Sequence, residues 1–166
     1  NRALAPHAST EFTLLFGVGE PAAPPEIDIA ADIELAYSAA DIGVKAKVKD
    51  ADTRTYNVYY SLDDGQETIL DATLKTLVDD NFTEDPGPHK GTDPIAADGK
   101  RQGVTGEIPV PEEWAENSVH KLQIWVKNDK YAMSDVKTVY IMKKAAEGGG
   151  EIVEANEYSL AFDANG

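Results

Sequence analysis

The chain has 166 residues, with 30 acidic side chains against 15 basic ones, a formal charge of −15 and a pI near 4.4. That length fits one ordinary domain with extra segments at its ends. The charge repels phosphate backbones and anionic lipid surfaces, which excludes nucleic acid as a partner. The absence of cysteine excludes disulfides, thiolate metal sites and cysteine nucleophiles. No apolar run reaches the roughly 18 residues of a membrane span, so membrane insertion is not expected.

Near the N-terminus, Glu11-Phe-Thr-Leu-Leu-Phe16 has strand character, and Pro21-Ala-Ala-Pro-Pro25 follows as a stiff spacer that cannot donate to a β-ladder. Ile27, Ile29, Ile33 and Leu35 alternate with acids after one Ala-Ala slip, which predicts a first strand that breaks and switches edge. In 42–49, Ile42, Val44, Ala46 and Val48 share one face and three lysines the other. Tyr56 to Leu62 is the next strand. Asp63-Asp64-Gly65 closes it as a hairpin turn, with Asp-Gly supplying the positive φ, and Thr68 to Leu70 returns. The stretch 70–78 fits a short helix or a strand equally.

Asp79 to Lys100, rich in acids, Pro and Gly, reads as one long exposed loop. Val104 to Val110 is a strand and Pro111 to Trp114 a single helical turn. Leu122, Ile124 and Val126 alternate with polar residues, and after Asn128-Asp129-Lys130 the run Val136 to Met142 completes a hairpin. Beyond the Gly148 to Gly150 hinge, Tyr158 to Phe162 supplies one more strand. The expected fold is all-β: an immunoglobulin-like antiparallel sandwich of about seven strands with an additional strand at each terminus. The boundaries follow as a 1–25 extension, a 26–143 sandwich and a 144–166 hinged strand.

The two terminal strands match. Glu11-Phe-Thr-Leu-Leu-Phe16 and Glu157-Tyr-Ser-Leu-Ala-Phe162 are identical at three of six positions, at an offset of 146 residues. Chance is the competing explanation, because short strands draw on a small alphabet. If the match has a cause, the same groove is filled by one end of one copy or repeat and by the corresponding segment of the next. Strand addition provides the physics: main-chain hydrogen bonds give affinity, and alternate side chains give register. The assembly residues are then Phe12, Leu14 and Phe16, or Tyr158, Leu160 and Phe162, and the partners are copies of this chain or adjacent repeats.

Ile108-Pro-Val-Pro-Glu-Glu-Trp114, His120 to Asp129 and Ser134 to Ile141 together resemble the last three strands of bacterial immunoglobulin-like and fibronectin type III-like surface modules. Tyr158 to Gly166 is similar to the opening strand of the Listeria–Bacteroides surface repeat. The resemblance implies a cell-surface, extracellular location and a structural role in a filament, pilus-like fibre or surface-layer array. The alternative it implies is an accessory glycan- or protein-binding module beside a catalytic domain.

No GxSxG, HExxH or P-loop pattern is present, and His7, His89 and His120 have no evident nucleophile partner, so no enzymatic activity is expected. Calcium is the cofactor weighed, because Asp79, Asp80, Asn81, Glu84 and Asp85 cluster in the acidic stretch and Asp50 and Asp52 end a strand. Solvated charge is the competing account of those acids. Trp114 and Trp125 offer aromatic faces for a sugar. Against that, Trp114 suits a plug for the end of the sandwich, and Trp125, in phase with Gln123 and Lys127, is either exposed or covered by a loop or a donated strand.

Overall fold

The computed structural model describes residues 22–84 and 87–146. In chain order the strands are β1 (Glu26–Ala31), β2 (Glu34–Leu35), β3 (Asp41–Lys49), β4 (Thr55–Leu62), β5 (Thr68–Ile69), β6 (Ala72–Lys75), β7 (Leu77–Val78), β8 (Asn81–Phe82), β9 (Lys90–Gly91), β10 (Ile95–Ala96), β11 (Gln102–Pro109), β12 (Ser118–Asn128) and β13 (Lys137–Lys143). There is no helix among the described residues, so none crosses a membrane as a helix.

Two sheets pack face to face as an all-β sandwich. One runs β1-β3-β11-β6-β9, all antiparallel. The other runs β10-β4-β12-β13-β2, with β5 also on β4 and β2 parallel to β13. The chain leaves the first sheet after β1 and joins the second at β2, which is the edge switch the Ala-Ala slip predicts. The period-2 alternation decides what fills the interior. Ile42, Val44, Ala46 and Val48 of β3 meet Leu122, Ile124 and Val126 of β12, all at most 2% exposed. The core cluster of the described residues extends from Ile27 to Ile141. Gly106 is part of this fit, because a Cβ there would stand 2.8 Å from the Leu70 side chain.

Polar groups at one end of the sandwich are satisfied internally. The Tyr56 hydroxyl donates to Gln102 Oε1 at 2.8 Å. Burial first, then the nearby charges of Asp98 and Asp50, push its pKa well above the usual tyrosine range.

The structure resolves or corrects four expectations. The 70–78 stretch is β6 and β7, because Ala72 and Leu74 face the core between the strands on either side of β6. The supposed long loop from Asp79 holds β8, β9 and β10, short strands that the core edge recruits despite their polar composition. Pro111 to Trp114 is a single turn closed by Trp114 N–H to Pro111 O at 3.1 Å. In the first hairpin the positive φ falls on Asp63 and Asp64, at 50° and 60°. Gly65 instead donates to Leu62 O at 2.8 Å, closing the turn one residue earlier than Asp-Gly suggested.

Candidate functional site

The start of β12 places Ser118 and His120 on the same side of the strand, two residues apart. The β4 hairpin sets Asp63 beside them, because Asp63 N–H donates to Lys121 O and Lys121 N–H donates back to Asp63 Oδ1, both at 2.8 Å. His120 Nδ1 then lies 2.7 Å from Asp63 Oδ2, and His120 Nε2 lies 2.7 Å from Ser118 Oγ. Trp114 stacks flat on the imidazole, with centroids 3.7 Å apart and planes within 1°. Burial pushes the Asp63 carboxyl up, but the Lys121 backbone N–H, the His120 hydrogen bond and the charges beside it outweigh that and hold it below the usual range.

A Ser-His-Asp chain of this length invites comparison with a catalytic triad, and the serine's own hydrogen bond is directed elsewhere. The Ser118 hydroxyl donates to Ala115 O, so its proton is not directed at His120 Nε2. Two neighbouring backbone N–H groups are committed too, Ser118 N to Ala115 O and Asn117 N to Lys143 O. The group is a clasp between the 111–118 turn and the β4–β5 hairpin. Sequence reasoning joined His120 to nothing. Ser-x-His at the start of a strand was the available signal, but the third member comes from 57 residues away.

The calcium candidates are arranged differently from the sequence expectation. Asp79 and Asp80, with φ of 49° and 66°, turn the β7–β8 hairpin. Asp80 accepts from Lys47 Nζ at 3.0 Å and pairs with Arg101 at 3.4 Å, and Arg101 also reaches Asp28. The Lys47 hydrogen bond, more than the charges of Arg101 and Lys47, holds the Asp80 carboxyl below its usual range. Asn81 donates to Asp79 O at 3.1 Å. Asp50, wholly buried, accepts from Asn128 Nδ2 at 3.1 Å and from Asp52 N–H at 3.0 Å, and Asp52 accepts from Ala23 N–H. Among the described residues no group of three or more His, Asp or Glu side chains is placed to hold a metal ion. Asp85 lies outside the described residues.

Neither tryptophan offers a free face. Trp114 is 6% exposed and covered by His120, plugging the end of the sandwich. Trp125, 9% exposed on the outer face of the second sheet, stacks beside Tyr59 at 6.4 Å and donates Nε1–H to Glu67 Oε2 at 3.1 Å. Lys127 pairs with Glu67 and sits 4.4 Å from the Tyr59 ring centroid. The two rings weighed for a sugar are thus packed within the chain, Trp125 partly through Glu67 of the segment after β4.

Sheet edges remain. β4 is covered by β5 and β10, and β6 by β9. β1 and the first half of β13 have no strand beyond them among the described residues. The assembly residues Phe12, Leu14, Phe16, Tyr158, Leu160 and Phe162 lie outside the described residues.

No known protein family matches the sequence, and no curated protein matches it. Solved structures similar in fold include the PKD domain of an M14-like peptidase from a Thermoplasmatales archaeon, with TM-score 0.44 and 10% identity over 75% of this chain and 99% of that one. The SrpA adhesin of Streptococcus sanguinis gives TM-score 0.36 and 18% identity over 73% of this chain and 57% of that one. AggA, the major subunit of aggregative adherence fimbriae type I from Escherichia coli, gives TM-score 0.30 and 12% identity over 74% and 97%.

Proposed function

We propose that this chain is a non-catalytic structural module of an extracellular prokaryotic filament, pilus-like fibre or surface array, joined to copies of itself or to adjacent repeats by strand addition. One observation carries the reading. Two matching strand-like segments, Glu11 to Phe16 and Glu157 to Phe162, flank a sandwich whose core is assembled from residues between Ile27 and Ile141. Each segment alternates an aromatic, a leucine and a phenylalanine on one face, and burying each such side chain is worth about 1.5–3 kcal/mol. Three on one strand can offset much of the cost of association when main-chain hydrogen bonds accompany them. The N-terminal segment is the preferred donor, because the Pro21 to Pro25 spacer keeps it from returning directly onto β1.

The test is assembly of the intact chain against a chain lacking residues 1–18, followed by sedimentation and negative-stain microscopy. The intact chain forms oligomers or filaments, and the shortened one stays monomeric with an unchanged β-rich spectrum. A shortened chain that still polymerises sinks the N-terminal donor.

A further inference from the structure

Strand addition needs an acceptor, and the edges of β1 and β13 are chemically unlike. Met142 N–H donates to Ile33 O at 2.8 Å and Lys144 N–H to Leu35 O at 2.9 Å, so β2 caps only the last turn of the β13 edge. Backbone direction alternates along a strand, so the N–H groups of Thr138 and Tyr140 point the same way as that of Met142, away from β12. No strand meets them among the described residues. Val136 and Tyr140, 41% and 63% exposed, flank this stretch. Val139 faces inward and is only partly buried against the core, as are Ile29 and Ala31 of β1, which borders the same side of the sandwich. An alternating apolar strand laid here finds apolar neighbours on its inner face.

Charge separates the two edges. β1 presents Glu26 and Asp28 outward. β13 carries Lys137 and Lys143 and is followed by Lys144, and Lys137 has no ion-pair partner among the described residues. Lysines on an edge oppose pairing of two like edges. They favour a strand flanked by acids, and the Glu11 to Phe16 segment has Glu11 at one end and Glu20 beyond the other.

We infer that the acceptor is the open half of β13, Lys137 to Tyr140, of a second copy, and that it takes the Glu11 to Phe16 strand. This rests on the strand-addition reading above, and the experiment separates the two. Two full-length variants are made. Tyr140→Pro removes an outward N–H and an exposed ring, which an edge strand tolerates, and Leu14→Asp spoils the donor face. In analytical ultracentrifugation each variant alone stays monomeric at concentrations where the wild type assembles. An equimolar mixture gives a one-to-one heterodimer and nothing larger, because one variant keeps the donor and the other the acceptor. That product also proves both chains folded. Lys137→Glu weakens wild-type assembly several-fold, most at low salt.

If Tyr140→Pro assembles like the wild type while Leu14→Asp does not, the donor stands and the β13 assignment is wrong. If neither variant assembles alone and the mixture gives no heterodimer, the β13 assignment is likewise overturned. If Leu14→Asp assembles normally, or the wild type is monomeric throughout, donation of the N-terminal strand itself fails.

Discussion

Asp63-Asp64 and Asp79-Asp80 are the same dipeptide in the same left-handed conformation, each reversing the chain in a tight turn, and the molecule uses them differently. The first is drawn into a cluster with His120, Ser118 and Trp114 at the end of the core. The second is laid across the outer face of the first sheet. Its flanking Leu77 and Phe82 sit over Gly103, and Asp80 is tied down by Lys47 and Arg101. Two aspartates suffice to reverse the chain, since Asp tolerates positive φ. The partners that tertiary structure supplies then decide whether the turn stabilises the domain or merely rests on it.

The largest effect should come from breaking the first turn's clasp. His120→Ala removes the stacking partner of Trp114 and the hydrogen bonds that the imidazole makes with Asp63 Oδ2 and Ser118 Oγ, costing about 2–3 kcal/mol in urea unfolding. A loss below about 0.5 kcal/mol, the range of an ordinary surface change, would make the cluster incidental. On the second turn, Gly103→Ala should cost about 1–2 kcal/mol, since its Cβ would meet Leu77 Cδ2 and Phe82 Cε2 at 2.9 Å. The β7–β8 amides should lose hydrogen-exchange protection before the rest.

Acid should act on both turns in the same direction. Asp63 and Asp80 are held below the ordinary carboxylate pKa, as is Asp129 through its Arg54 hydrogen bond. A depressed folded-state pKa gives stability that is complete above the unfolded value of about 3.9 and is lost as pH falls through the lower folded value. Unfolding midpoints should therefore decline below about pH 4, and Asp63→Asn should flatten part of that decline. Lys47→Met and Arg101→Met should barely move the global midpoint while raising exchange in β7–β8, an effect that salt reproduces in the wild type. Smallest of all, millimolar calcium against excess chelator should leave the melting temperature unchanged, because Asp80 already has its cations and Asp50 its hydrogen bonds. A rise with calcium would show the acidic residues gathering around an ion.

Which of these turns was legible in the sequence follows from range. Asp63-Asp64-Gly65 lies between strongly alternating strands, so a hairpin was readable there, although the residues at positive φ were misplaced by one. Asp79-Asp80 lies between two-residue strands, too short for a period to show, and its acids looked like a ligand set. The clasp was illegible for another reason: Ser118 and His120 are neighbours on a strand, but Asp63 reaches them only because β4 pairs with β12 in a register that sets Leu62 opposite Leu122. Trp125 was correctly phased to the outer face, but not its cover, since Glu67 and Tyr59 come from a different strand and its turn.

The sequence by itself determined the all-β class, the main strands, the inward faces of β3 and β12 and the sheet switch of the first strand, because these follow from side-chain period and from Ala, Pro and Gly positions, which act within a few residues. Tertiary structure alone decided which carboxylates meet cations, which aromatic faces are occupied and which strand edges remain open. Each of those depends on pairing across tens of residues, where register and sheet order, and not local propensity, choose the neighbour.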